Sequence, residues 1–207
     1  MTCSCSHDAP AATSSPRYRR VLWLALVLNA VMFAVELAGS HHAQSLSLLA
    51  DAIDFAGDAV NYGVSLAVLG AGLVWRARTA WVKAWAMLAF GGFVLGRALW
   101  SVWHGPVPEP LTMGLVGVLA MLVNVSVAAM LFSFRDGDAN MRSVWVCSRN
   151  DALGNLAVVG AAMGVAGSGT AWPDLLVGAF MAGLALQGGL AVRRQARAEL
   201  AAARARH

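Results

Sequence analysis

The fold class the sequence predicts is an all-α membrane protein: a bundle of six transmembrane helices with both termini in the cytoplasm. Three observations predict it. The chain of 207 residues is 58% hydrophobic and only 13% charged, and its mean hydropathy is +0.62, whereas a soluble domain keeps about a quarter of its residues charged. The apolar residues gather in six runs of about twenty residues or more. At about 1.5 Å per residue, each can cross a hydrocarbon core of about 30 Å. Finally, the basic residues collect at alternate ends of those runs, as they do where cytoplasmic loops retain positive charge.

The expected spans are 21–40, 46–74, 80–103, 111–134, 143–166 and 171–192. Ser40-His41-His42 closes the first and Trp75-Arg76-Ala77-Arg78 the second. Pro106, Pro108 and Pro110 divide the third from the fourth, because proline lacks a backbone donor and interrupts helices. Arg135-Asp136-Gly137-Asp138 opens the next loop, and Gly167-Ser168-Gly169 with Pro173 marks the last. Residues 1–20 are expected to be a flexible cytoplasmic tail, 21–192 the transmembrane domain, and 193–207 a short basic tail continuing as an Arg/Ala-rich helix. Arg97 alone departs from the charge pattern; the other fourteen of the fifteen basic residues lie on the cytoplasmic side.

These features exclude several classes. The pI near 9.5 does not indicate nucleic-acid binding, because the basic residues cap apolar spans and form no continuous patch. Cys3, Cys5 and Cys147 are too few and too scattered for a disulfide framework. The polar N-terminus does not resemble a cleaved signal.

The acids inside the spans carry the chemistry. A carboxylate at the bilayer centre costs about 2.5–3.5 kcal/mol on insertion scales and marks function by default. Glu36 lies in the first span, Asp51, Asp54 and Asp58 in the second, and Asp151 in the fifth. Asp54 and Asp58 are four apart and share a helical face. Asp51 and Asn61 fall in the same stripe, about 80° wide at 100° per residue. On the fifth span Cys147, Asp151 and Asn155 also repeat every four residues. The two spans run antiparallel, so Asp58 and Asp151 are expected at similar depth. Two i, i+4 pairs on facing helices suit tetrahedral coordination of a divalent ion. Three uncompensated acids would cost on the order of 8–10 kcal/mol. Glu36 and Asp51 taken singly are equally well explained by a bond to a neighbouring polar side chain.

The sequence resembles the cation diffusion facilitator (cation efflux) family across essentially all six spans. The resemblance rests on Asn29 and Glu36, on SLSLLADA running on to Asp54 and Asp58, on Asn124, and on DANMRSVWVCSRNDALGN entering the fifth span. It implies a transport site of Asp54, Asp58, Cys147 and Asp151, a homodimer, alternating access, and exchange of metal for protons. Two departures stand out. Family members commonly carry histidine where this chain has Cys147, so either that thiol or the amide of Asn150 or Asn155 completes the site. Many members also carry a cytoplasmic domain after the sixth helix, so the chain is expected to belong with the short form.

The expected function is therefore proton-coupled efflux of a divalent metal, without enzyme activity or a resident cofactor, in a bacterial inner membrane. The expected partners are metal ions, protons, lipid and a second copy of the chain, with no nucleic acid. A thiolate favours Zn²⁺ or Cd²⁺ and carboxylates favour Mn²⁺, Fe²⁺ or Co²⁺; Zn²⁺ is the first expectation. The alternative is a metal-binding or sensor protein that does not transport. An intramembrane acid protease fits the paired i, i+4 pattern less well, and an organic-cation exporter would need a larger aromatic cavity. Cys3, Cys5 and His7 form a second, weaker metal-binding signal in the N-terminal tail.

Overall fold

A computed structural model describes residues 16–67, 73–134 and 139–204, with the side chains of 73–77, 79–80, 83, 139–147, 149–150, 195, 199 and 202–204 outside the described set. The described residues form six helices and no strand: α1 Pro16–Ala43, α2 Leu46–Ala67, α3 Leu73–His104, α4 Pro110–Phe132, α5 Ala139–Ser168 and α6 Trp172–Arg204. The helix starting at Pro16 reaches into the stretch expected to be tail. The helix ending at Arg204 carries the Arg/Ala-rich continuation of the sixth span. Cys3, Cys5 and His7 lie outside the described residues.

Five helices contain stretches long and apolar enough to cross a membrane: Pro16–Ala43, Ala84–His104, Pro110–Phe132, Asp151–Ser168 and Trp172–Ala198. The exception is α2, whose three aspartates lower its hydropathy. Its 22 residues would nonetheless span about 33 Å at the helical rise. α2 packs against every other helix, most closely α1 and then α6. The bundle thus encloses the helix that could not face lipid alone.

The distribution of side chains is that of a membrane protein. Large apolar groups face outward, including Leu24, Val27 and Val31 on α1 and Leu111, Leu115 and Leu122 on α4. Polar groups turn inward: Asn29, Glu36, Ser47, Asp51, Asn124, Asn155 and Asp174 are all buried. Lipid makes an apolar exterior favourable and an uncovered polar group costly. With the apolar spans, this makes the chain a multi-pass integral membrane protein.

The helices pair as α3 with α6, α1 with α2 and α4 with α5. At the arginine-rich end, the Arg193 guanidinium of α6 lies 5.4 Å from the centre of the Trp85 ring on α3. At the other end the helices are joined through their caps. Glu109 accepts hydrogen bonds from the N–H groups of Leu111 (3.0 Å) and Thr112 (2.7 Å), ahead of Pro110 in the first turn of α4. Its own N–H donates to the Ala43 carbonyl at the end of α1. The bonds from Thr112, then Leu111, hold the Glu109 carboxyl below the usual glutamate range. A carboxyl held low stabilises the fold above its unfolded pKa and loses that contribution as pH falls through the folded value. The melting-temperature difference between wild type and Glu109→Gln is therefore expected at neutral pH and should close below about pH 4.

Glycines also decide where helices approach. The glycine pairs Gly92–Gly96 and Gly160–Gly164 have the spacing that permits close helix approach, but only one of the four is closely packed. A Cβ at Gly92, Gly96 or Gly160 would meet nothing within 4 Å; only Gly164 is enclosed, against Pro173. The closest approach to backbone at the α2–α6 junction is at Gly178, where a Cβ would lie 2.9 Å from the Leu46 carbonyl carbon and 3.0 Å from the Ser47 nitrogen. Helix backbone cannot yield as a side chain can, so Gly178→Ala should destabilise the protein by about 1–3 kcal/mol. Thermal unfolding in detergent measures this.

Candidate functional site

Depth in the bundle can be read from its apolar clusters. At the end away from the arginines, Leu46, Leu48, Met113, Val165 and Leu175 pack together. Met32, Phe55 and Ala120 form a middle cluster. Tyr18, Leu22, Ala25, Tyr62, Val127 and Leu131 close the arginine-rich end, the one expected to face the cytoplasm. Between the middle and inner clusters lie Asn29 on α1, Asp58 on α2 and Asn124 on α4. They are a polar layer bounded by apolar residues on both sides.

α5 is set against this layer by a hydrogen bond. The Tyr62 hydroxyl on α2 lies 2.7 Å from the Ser148 hydroxyl on α5. Asp58 is one turn outward of Tyr62, and Asp151 three residues outward of Ser148. At about 1.5 Å per residue, the two aspartates lie within roughly 2 Å of the same depth. Asn155 follows one turn further out, and Val158 and Val159 then pack against Gly117 of α4.

Burial within the layer is uneven. Asn29 and Asn155 are fully enclosed and Asn124 is 3% exposed. The Asn29 amide donates to the Ala25 carbonyl at 2.8 Å, leaving its Oδ1 without a donor. Asn124 Oδ1 and both amide atoms of Asn155 likewise have no partner among the described residues. Buried oxygens left unbonded cost about 1–3 kcal/mol each, and such groups are few in native proteins. Asp54, Asp58 and Asp151 are only partly buried and have other interactions.

The most enclosed acids are a different pair. Glu36 of α1 is 0% exposed and Asp51 of α2 is 2% exposed. They neighbour one another, with Asp54 next along α2. Both Glu36 oxygens lack a hydrogen-bond donor. A carboxyl can donate to another only when it carries a proton.

Among the described residues, no three of His, Cys, Asp and Glu come close enough together to hold a metal ion. Cys147 belongs to α5, but its side chain and that of Asn150 lie outside the described set. The structure therefore brings Asp58 and Asp151 to one depth on adjacent helices, and of the four expected ligands it describes the side chains of Asp54, Asp58 and Asp151.

One organising acid follows no helical spacing pattern. Asp174, in the first turn of α6 and 1% exposed, caps the start of α2 from a different helix. Its Oδ1 accepts from the hydroxyls of Ser45 (2.7 Å) and Ser47 (2.6 Å) and from the Ser47 N–H (2.9 Å). Its Oδ2 accepts from the Leu46 N–H at 2.7 Å. The unbonded N–H groups that begin every helix are thus met here by a neighbour's carboxyl. The available signal was an acid just after Pro173 at the edge of an apolar span, with serines at the start of α2.

No family model matches the chain. It is similar to the metal cation efflux system protein CzcD of Cupriavidus metallidurans and to the cation efflux system protein CzcD of an Alcaligenes species. Each is 26% identical over 181 residues, which cover 82% of this chain and 56% of the relative. The chain thus spans about half the length of the curated relatives it matches.

Proposed function

We propose that this chain, a member of the cation diffusion facilitator (cation efflux) family, moves divalent metal ions out of the cytoplasm in exchange for protons. The observation that supports this most is the polar layer itself. Asp58 and Asp151 stand at one depth on α2 and α5, Asp54 lies one turn away, buried Asn29 and Asn124 lie near that level, and buried Asn155 follows one turn further out. Carboxylates in a bilayer interior require a cation or protons to compensate them. Competition for the same oxygens is the basis of exchange. A metal binds the deprotonated ligands, and protons entering from the acidic side displace it.

Asp54, Asp58 and Asp151 supply the oxygen ligands, and Cys147 or the Asn155 amide supplies the fourth. Zn²⁺ is the first cargo to test, followed by Cd²⁺, Co²⁺ and Fe²⁺, because tetrahedral mixed O/S coordination suits zinc. The working unit is a homodimer.

Purified protein in sealed vesicles, with a metal dye and a pH dye inside, tests the reading. A metal gradient should drive metal across while protons move the opposite way. Absence of flux for all four metals would overturn it. Metal binding without flux would instead support a membrane metal-binding or sensor role.

A further inference from the structure

We propose that Tyr62 and Ser148 form the bar that closes the transport site from the cytoplasm. This inference rests on the transport reading above and assigns that site a gate. Tyr62 is 2% exposed and Ser148 is fully buried. Their hydroxyls meet at 2.7 Å, joining the two helices that carry the candidate metal ligands. The bond lies one turn cytoplasmic of Asp58 and Asp151, between them and the arginine-rich end. The Tyr62 ring fills the inner apolar cluster with Leu22, Val127 and Leu131. One side chain therefore occupies the space between α1 and α4 with its ring and reaches α5 with its hydroxyl.

The two ends of α2 are held differently. At its outer end the Asp174 carboxyl takes two backbone N–H groups and two hydroxyls, and Gly178 brings the α6 backbone against the first turn. At its inner end the described hydroxyls of Tyr62 and Ser148 join α2 to α5 along a short seam. Charge-assisted and backbone-anchored bonds are stronger than neutral hydroxyl pairs. Release of Tyr62 from Ser148 separates α2 from α5 at the inner end, where their shared seam is short. That movement opens a path from the cytoplasm to Asp58 and Asp151 while Asp174 keeps the outer end fixed.

Tyr62→Phe and Ser148→Ala each remove the bond with little change in volume, and two readouts test them. The first is hydroxyl-radical labelling of Phe55, which is 2% exposed and lies just outward of the layer. Labelling is expected to rise about threefold or more in either variant, and no further in the double variant, because both remove the same bond. The second readout is proton leak into vesicles without metal, which should rise while the Zn²⁺ dissociation constant changes less than about threefold. A purely structural role would lower melting temperature, binding and flux together without raising the leak. Unchanged Phe55 labelling with unchanged leak would overturn the gate, as would strictly additive effects of the two substitutions. The labelling measurement needs no transport, so a wild type that moves no metal refutes the transport reading and leaves the inner closure separately tested.

Discussion

Asp54→Ala and Asp58→Ala are each expected to reduce metal flux in reconstituted vesicles by about 100-fold or more. Loss of a residue that merely orients a metal ligand typically costs 10–100-fold in affinity, and loss of a direct ligand should reach at least the upper end. The folded protein should not suffer in parallel. Each substitution removes a carboxyl whose placement in a membrane costs about 2.5–3.5 kcal/mol, so membrane insertion should be no worse. Undiminished flux in either variant would remove that residue from the site. An equal fall in flux and in folded yield would indicate a structural role instead.

Asp174→Ala should behave in the opposite way. The carboxyl satisfies the Leu46 and Ser47 N–H groups and the Ser45 and Ser47 hydroxyls. Its removal leaves four buried donors, each worth about 1–3 kcal/mol if unmet. A cavity of about 350 Å³, lined by Ser45, Asp174, Arg97 and Ser101 among others, adjoins the junction and can admit water to part of this set. A net loss of about 3–5 kcal/mol follows, comparable to removing one partner of a buried charged pair. For a chain of this size that is roughly 10 °C in melting temperature. Asp174→Asn keeps one acceptor and should lose about half as much. A melting temperature of Asp174→Ala equal to wild type in detergent would show that α2 does not depend on this cap. Together, the two sets of variants separate the acids that meet the cargo from the acid that holds the helix.

Much of this was legible in the residues. The six spans appear as six helices, because helix formation over an apolar run depends on local composition. Boundaries moved where turns decided them. Gln44 takes a left-handed φ of 54° between α1 and α2, and Gly169, at φ 63°, ends α5 with its N–H on the Val165 carbonyl. The stripe of Asp51, Asp54 and Asp58 stood out because acids are rare in a membrane. Its division did not: Asp51 turns toward Glu36 and is fully enclosed, whereas Asp54 and Asp58 remain partly accessible. The glycine pairs on α3 and α5 are mostly open, because small-residue spacing shows where close approach is possible, not which neighbour is there.

What the sequence by itself determined was residence in a bilayer, the number of helices, and the presence of acids in their interior. Each follows from the cost of transferring a residue from water to hydrocarbon, a property of one segment at a time. The tertiary structure alone decided which polar groups meet: Asp174 with the start of α2, and Tyr62 with Ser148. The reason is that lipid tails and leucine side chains are equally apolar. Hydrophobic periodicity therefore does not say which face of a membrane helix turns inward. Only packing and the pairing of buried polar groups across helices decide it.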